Sequence, residues 1–229
     1  MTAAAVVHPA YLQHLGETPY REALAEMVDL AAARSQGAVP DTMMLLEHAP
    51  VITLGSRADR ARELPLSDAD YAARGIEVVA VPRGGRSTYH GPGQLVGYPI
   101  LDLRERGRDV HRYVRGLEQV LIGTLAEYGV EGRALRLPHQ SGVWVGDRKI
   151  ASIGVRCSSW VTSHGFSLNA DLDLSVYGLF DACGLGGAAF TSVTVEAGRP
   201  VTVDDLREPV VRHLAEVFEL TLSELPVTA

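Results

Sequence analysis

The stretch RGGRSTYHGPGQLVGYP, residues 83–99, combines several glycines with side chains that can bind or react. Glycine lets the backbone adopt positive φ and approach a ligand closely, and successive backbone N–H groups can cradle an anion or a carbonyl oxygen. The functional side chains of the stretch are Arg83, Arg86, Tyr89, His90 and Gln94. We predict a Gly-rich ligand-binding loop that leads into a strand over residues 94–101. Phosphate, carboxylate and thioester groups fit such a loop equally well.

Short β-branched runs bounded by breaker residues predict further strands on both sides of this loop. The segment 141–160 alternates in the manner of a hairpin, with Gly146 and Asp147 at its tip. The other predicted strands cover residues 42–48, 50–55, 76–81 and 161–174.

Two helices are predicted from their caps in the first half of the chain. Thr18 and Pro19 form an N-cap and first-turn signal for an amphipathic helix that ends near Gly37. Asp109 can cap a long second helix, which Gly129 stops.

A third helix is predicted near the C-terminus, where Thr202 and Asp205 resemble a capping box. Pro209 lies inside this segment and is expected to kink or delay the helix. The chain shows neither an internal repeat nor a low-complexity linker. We predict one α/β domain over residues 1–229, with a mixed sheet flanked by helices.

Composition narrows the function classes. The 229 residues are 46% hydrophobic and carry a formal charge of −7, which argues against a general nucleic-acid binder. No apolar run approaches the roughly 20 residues that cross a bilayer, and the N-terminal residues lack the pattern of a signal peptide. Two cysteines without a CxxC pair indicate neither a disulfide framework nor zinc. A reducing cytoplasm is the expected location.

The chain contains twenty arginines but a single lysine, Lys149. An amine can lose its proton at the site of a reaction, whereas a guanidinium stays charged, so Lys149 is a candidate catalytic residue. The segments 104–115 and 133–156, the second including Arg136, gather arginines that could dock an acidic partner.

Cys183 is the candidate nucleophile, because Gly184, Gly186 and Gly187 give it a loop that favours an exposed sulfur. Cys157 lies on a strand pattern and is expected to pack in the core. A cysteine nucleophile needs a base or a nearby cation.

Three residues could serve Cys183 in this way: His90, His164 and Lys149. A His–Cys pair would suggest a hydrolase, and a Lys–Cys pair a different reaction. A metal site is not expected, because carboxylates near the two histidines are sparse and no H-x-x-x-H helix occurs.

Taken together, four blocks resemble the octanoyltransferases of lipoate biosynthesis, also called lipoyl(octanoyl) transferases. The blocks are 83–99, SGVWVGDRKIASIGVR at 141–156, SHGFSLN at 163–169 and ACG at 182–184. The resemblance implies the fold of lipoate- and biotin-protein ligases, with a tunnel for an acyl chain. It also implies transfer of an octanoyl group from acyl carrier protein, through an enzyme cysteine, to a lysine of a lipoyl domain such as the H protein or an E2 subunit.

The resemblance also assigns residues. It implies that Cys183 accepts the acyl group and that Lys149 assists Cys183 in losing its proton; His164 is a further candidate, for orienting the site. It places the substrate-binding residues at Arg83, Gly84, Gly85, Arg86, Ser87, Thr88, Tyr89, His90, Ser152, Ile153, Gly154, Gly165, Phe166 and Ser167. It implies neither a cofactor nor a metal, and we expect a monomer without nucleic-acid or membrane partners.

One position departs from the family pattern, because Ala182 stands where a proline usually precedes the cysteine. We expect slower acyl loading at worst. The main alternative is an ATP-dependent lipoate- or biotin-protein ligase on the same fold, which needs no cysteine. A cysteine thioesterase and a non-catalytic acyl-binding module are the remaining alternatives.

Overall fold

The computed structural model describes residues 7–135, 141–186 and 189–224. Arg136 and Gly187, two residues that the sequence predictions used, lie outside these ranges. The strands are β1 (His8–Thr18), β2 (Asp41–His48), β3 (Val51–Leu54), β4 (Glu77–Ala80), β5 (Ser87–His90), β6 (Gln94–Ile100), β7 (Arg133–Ala134), β8 (Gly142–Val145), β9 (Arg148–Ser158), β10 (Val161–Asn169) and β11 (Leu220–Glu224). The α-helices are α1 (Tyr20–Ser35), α2 (Arg60–Glu63), α3 (Asp68–Ala72), α4 (Val110–Ala126), α5 (Val193–Ala197) and α6 (Val203–Val217).

The strands form two sheets. The larger has the order β11-β1-β2-β6-β10-β9-β8-β7, and the smaller has the order β4-β3-β5. In the larger sheet β1 pairs in parallel with both β11 and β2, while the remaining pairs are antiparallel. The predicted mixed sheet with flanking helices is therefore confirmed.

Strand β2 shows why helices cover both faces of the larger sheet. Successive side chains of a strand point to opposite faces. Met43 and Leu45 pack into the core that includes helices α4 and α6, whereas Met44 and Leu46 pack into the core that includes Met27 of α1. A strand buried on both faces appears as a continuous apolar run, as TMMLLEH does.

The smaller sheet has its own hydrophobic cluster. Ile52 of β3 and Tyr89 of β5 pack there with Tyr71 of α3 and with Phe180 and Ala182. This cluster anchors the segment that carries Cys183 against the smaller sheet.

Several local predictions are confirmed. Asp109 caps α4 by accepting a hydrogen bond from the amide of Arg112, and Thr202 and Asp205 form a capping box at α6. The hairpin formed by β8 and β9 turns at residues 146–147, as expected. Cys157 lies on β9 and packs partly buried against the main core.

The predicted start of the first helix was wrong by one residue. Thr18 is the last residue of β1, and Pro19 occupies the N-cap position of α1 without a side-chain capping bond. The Thr18 hydroxyl instead donates to the carbonyl of Gly16.

The predicted loop after Arg83 was too long. Ser87–His90 forms β5, which pairs antiparallel with β3. The polar sequence STYH hid this strand, although all four residues are buried. The strand predicted over residues 161–174 was also too long, because it ends at Asn169 and a 3-10 helix covers Leu174–Gly178.

Pro209 does not delay the third helix, which runs as one element from Val203 to Val217. A proline has no N–H to bond the carbonyl four residues earlier, here that of Asp205. The Tyr128 hydroxyl donates to this carbonyl instead. A side chain from the end of α4 thus replaces the missing helical hydrogen bond. Within the described ranges, helices are either too short or too polar to cross a membrane.

Candidate active site

A cavity of about 200 Å³ gathers nearly all of the predicted site residues. Its walls come from the segment that leads into β5, from the middle of β9 and β10, and from the turn at Cys183. The predicted residues that line it are Arg83, Gly84, Gly85, Arg86, Ser87, Thr88, His90, Lys149, Ser152, Ile153, Gly154, His164, Gly165, Phe166, Ser167 and Cys183. The four sequence blocks, distant along the chain, therefore meet in one place.

Tyr89 is the predicted binding residue that does not line the cavity. Because side chains alternate along a strand, Tyr89 points away from the face that Thr88 and His90 share. Its ring packs in the cluster of the smaller sheet, edge-on to Tyr177.

Lys149 and Cys183 contact each other across the cavity, with 3.7 Å between Lys149 Nζ and Cys183 Sγ. Lys149 is only 2% exposed, and its Nζ lies 5.4 Å from the centre of the Trp144 ring. The Lys149 amine is therefore enclosed between the Cys183 sulfur and the face of an aromatic ring.

The backbone on either side of Lys149 is held by the segment that follows Cys183. The amide of Lys149 donates to the carbonyl of Ala189, and the amide of Thr191 donates to the carbonyl of Lys149. This parallel bridge fixes Lys149 of β9 relative to residues 189–191.

Cys183 lies in a short 3-10 turn, Ala182–Gly184, with φ 62° and ψ 6°. This left-handed conformation is uncommon for a residue other than glycine, and such residues persist only where surrounding contacts enforce them. The amide of Ala182 donates to the carbonyl of Phe180 at 3.1 Å. A proline at position 182, which the resemblance predicts, could not make this hydrogen bond.

Contacts on the two sides of Cys183 hold the turn in place. Asp181 donates its amide to the Glu63 carbonyl at 2.7 Å and accepts a hydrogen bond from the Ser87 hydroxyl at 3.0 Å. On the other side, a Cβ added to Gly184 would lie 2.5 Å from Nε of Arg86. The Arg86 guanidinium therefore packs directly on the backbone next to Cys183.

Glu63 organises this anchoring. Its carboxylate accepts hydrogen bonds from Nε of Arg86 at 2.7 Å and from the amides of Ser87 and Asp59, both at 2.8 Å. Burial alone would raise the pKa of the Glu63 carboxyl, but these hydrogen bonds outweigh burial and hold its pKa below the ordinary value. Glu63 is thus an ionised, buried anchor that ties α2 to the substrate-binding segment.

Arg83 brings a buried positive charge into the same cavity. Its Nη2 donates to the carbonyl and hydroxyl of Thr53, and its Nη1 donates to the carbonyl of Gly84. In the part of the chain that the structure describes, no acceptor contacts its Nε, and burial lowers the pKa of the guanidinium. Arg83 therefore lines the cavity without an ion pair to a carboxylate among the described residues.

Histidine and tyrosine rings form the inner part of the site. His90 stacks parallel to Tyr20 with 6.3 Å between ring centres, and Nε2 of His48 lies 2.7 Å from the Tyr98 hydroxyl. Burial lowers the pKa of His48 to about 4 and that of His164 to about 3. These imidazoles are neutral near pH 7.

Sequence reasoning missed several residues at this site, among them Tyr20, His48, Arg57 and Tyr98. Tyr20, Arg57 and Tyr98 line the cavity, and His48 packs behind Tyr20. Two of these residues could have been found from the sequence, because His48 and Tyr98 are polar aromatic residues within otherwise apolar strand patterns. In the described parts of the chain, no cluster of His, Cys, Asp and Glu side chains forms a metal site.

The fold and site define a lipoyl protein ligase A/B catalytic domain, a family that matches residues 19–215, and the chain belongs to this family. Among curated proteins it groups with octanoyltransferases. It is 47% identical to the octanoyltransferase of Solibacter usitatus over 92% of this chain and 94% of the relative. It is 44% identical to that of Syntrophobacter fumaroxidans over 93% and 92% of the two chains. The predicted resemblance is confirmed.

Solved structures agree on the fold. A lipoate-protein ligase A bound with ATP is similar with a TM-score of 0.77 at 18% identity, over 96% of this chain and 90% of that chain. The biotin protein ligase of Aquifex aeolicus is similar with a TM-score of 0.53 at 11% identity, over 91% and 69%. At these identities the likeness concerns the fold alone.

Proposed function

We propose that this chain transfers an octanoyl group from octanoyl-acyl carrier protein to a lysine of lipoyl-domain proteins, through a thioester on Cys183. Octanoyl transfer in protein lipoylation is the activity that family membership supports, and it makes the chain an acyltransferase. The donor, the thioester and the residue roles are the finer part of the proposal. The observation that carries it is the 3.7 Å contact between buried Lys149 and Cys183 in the cavity.

The first half-reaction loads the enzyme. Lys149 takes the thiol proton, and the Cys183 thiolate attacks the carbonyl carbon of the octanoyl thioester. A new C–S bond forms to Cys183, the C–S bond to the carrier breaks, and the leaving thiolate takes a proton from the Lys149 ammonium. Lys149 is then neutral beside the acyl-enzyme.

The second half-reaction restores the starting state. The neutral amine of the lipoyl-domain lysine attacks the thioester, so that a C–N bond forms and the C–S bond to Cys183 breaks. Lys149 accepts the proton that the attacking nitrogen releases. The products are the octanoylated lysine and a Cys183 thiolate paired again with the Lys149 ammonium.

Arg83 supports the same chemistry electrostatically. Both half-reactions pass through a tetrahedral intermediate whose carbonyl oxygen becomes negative. A buried positive charge is worth more there than in water, because the cavity has a lower dielectric constant. Arg83 lines the cavity and has an Nε without an acceptor.

Docking of acidic partner proteins needs exposed positive charge at the cavity mouth. The predicted segment 104–115 is only partly available, since Arg104 and Arg106 form ion pairs with Asp102 and Asp41. Arg57 is exposed and lines the cavity, and exposed Arg156 lies on β9 beside its wall. We propose Arg57 and Arg156 as part of the docking surface.

The experiment that separates this proposal from an ATP-dependent ligase compares two acyl sources on one lipoyl domain. Octanoyl-acyl carrier protein without ATP should octanoylate the lipoyl domain, and free octanoate with ATP should not. The opposite result would favour the ligase, and thioester hydrolysis without an acceptor would favour a thioesterase. One domain over residues 1–229, a monomeric state and a cytoplasmic location stay predictions.

A further inference from the structure

A line of buried polar side chains runs from the cavity to the strand of Lys149. Nδ1 of His90 lies 2.7 Å from Oε1 of Gln94, Nε2 of Gln94 lies 2.8 Å from Oδ1 of Asn169, and Nδ2 of Asn169 lies 2.9 Å from the carbonyl of Thr191. Thr191 donates its amide to the carbonyl of Lys149. These side chains are at most 7% exposed, and we call them the relay.

The direction of every hydrogen bond in the relay follows from its last acceptor, the carbonyl of Thr191. The Thr191 carbonyl can only accept, so the Asn169 amide nitrogen must point to it and the Asn169 oxygen must face Gln94. The Gln94 nitrogen then donates to Asn169, which leaves the Gln94 oxygen facing His90. An oxygen accepts, so Nδ1 of His90 must carry the proton.

The other nitrogen of His90 is consequently an acceptor. Burial and, less strongly, the neighbouring His48 hold the pKa of His90 well below its ordinary value, so the ring is neutral near pH 7. A neutral ring with a proton on Nδ1 has a free lone pair on Nε2. His90 lines the cavity, and its Nδ1 edge is occupied by Gln94.

We propose that the relay holds His90 with its proton on Nδ1 so that Nε2 accepts a hydrogen bond from the incoming lysine amine and aims that amine at the thioester. This inference rests on the proposed function. Neither the acyl chain nor its thioester carbonyl can donate a hydrogen bond, so in the acyl-enzyme the amine is the substrate group that matches this acceptor. One amine N–H binds Nε2, the nitrogen lone pair attacks the carbonyl carbon, and the released proton still goes to Lys149.

The relay also connects this acceptor with the base. Thr191 bonds both the Asn169 side chain and the Lys149 backbone, so His90 and Lys149 are linked through the same residue. Gln94 and Asn169 are therefore positioning residues, and their effect falls mainly on the second half-reaction, because the first has no amine for His90 to orient.

The proton on His90 can be observed directly. Nitrogen NMR of protein labelled with ¹⁵N-histidine, with His90→Phe as the assignment reference, should show Nδ1 protonated and Nε2 unprotonated in the wild type. Gln94→Met keeps the side-chain length but removes both the acceptor for Nδ1 and the donor to Asn169, and the preference for a proton on Nδ1 should be lost. A wild-type ring protonated on Nε2 would overturn the relay whatever the enzyme does.

The kinetic arm measures loading from octanoyl-acyl carrier protein and discharge of the isolated octanoyl-enzyme to a lipoyl domain in separate single-turnover experiments. His90→Phe and Gln94→Met should slow discharge by about tenfold, and discharge should slow at least about threefold more than loading. Thr124→Val is the matched control, since it removes a buried hydroxyl within α4, and both rates should be unchanged.

Equal slowing of loading and discharge, or normal discharge in both variants, would overturn the role of His90. Failure of the wild type to form any octanoyl-enzyme would overturn the proposed function and with it the amine assignment. The NMR result distinguishes this failure from an error in the relay.

Discussion

Lys149 and Cys183 contact each other, but the chain holds them in different ways. Lys149 lies on β9, where the pairing with β8 shifts register, with backbone hydrogen bonds on both sides and a side chain that is 2% exposed. Cys183 lies in a single turn at a positive φ, and its position depends on Glu63, Arg86 and Gly184. The base is part of the sheet, whereas the nucleophile is placed by contacts between distant segments.

We expect the largest effect on activity from a substitution of Lys149, the residue of the site that lies on strand β9. Lys149→Arg keeps the positive charge but cannot give and take a proton. We expect a loss of about 10²- to 10⁴-fold in the rate of octanoyl transfer, measured with octanoyl-acyl carrier protein and a lipoyl domain. Near-normal turnover would remove Lys149 from the role of base.

The next effect comes from distorting the turn. Gly184→Ala combines a positive φ of 63° with a clash against the Arg86 guanidinium, and we expect Cys183 loading to slow by at least about tenfold, since such strain costs about 1–3 kcal/mol. Gly186→Ala is the matched control, because it has a similar φ of 66° and open space around the added Cβ. Equal loading rates in the two variants would show that the Arg86 contact does not position Cys183.

We expect Glu63, which anchors the Cys183 turn, to contribute to the free energy of unfolding. Glu63 has a depressed pKa in the folded state, so its ionised form stabilises the fold above the unfolded pKa, and this contribution is lost as pH falls through the folded value. Glu63→Gln should lower the free energy of unfolding by about 2 kcal/mol at pH 7.

Urea unfolding at several pH values tests this expectation. The difference between wild type and Glu63→Gln should shrink below about pH 4. Glu208→Gln, at an exposed pair with Arg212, should change stability by less than about 0.5 kcal/mol. A difference for Glu63→Gln that is constant with pH would contradict the assignment of an ionised Glu63.

The smallest effect concerns docking outside the Lys149–Cys183 contact. Arg57→Ala should raise the KM for octanoyl-acyl carrier protein about two- to fivefold at low salt, with little change in kcat, and the effect should fade as ionic strength rises. Arg62 is also exposed but does not line the cavity, so Arg62→Ala should leave KM unchanged. The same response in both variants would exclude a docking role for Arg57.

The strands around Lys149 could be predicted from the sequence better than the segments that surround the Cys183 turn. The run in β2 and the hairpin of β8 and β9 have strong local patterns. In contrast, β5 consists of the polar residues STYH, which are buried only because the smaller sheet and Cys183 turn cover them. Local pattern carries no information about that cover.

In the candidate site, too, residue types could be predicted from the sequence, but the contacts between distant segments could not. Cys183 and Lys149 could be predicted as residue types with the right chemistry, yet their contact spans 34 positions and depends on the bridge formed by residues 189–191. The relay from His90 through Gln94 and Asn169 could not be predicted either. Its hydrogen bonds depend on the pairing of β6 with β10, where Gln94 lies opposite Asn169.

The central claim is that Cys183 carries the octanoyl group. Intact-protein mass spectrometry after mixing with octanoyl-acyl carrier protein, on wild type and Cys183→Ala, tests it most directly. We predict one octanoyl adduct on the wild type that disappears when a lipoyl domain is added, and no adduct on Cys183→Ala. An adduct that persists in Cys183→Ala, or octanoylation of the lipoyl domain by that variant at the wild-type rate, would contradict the account.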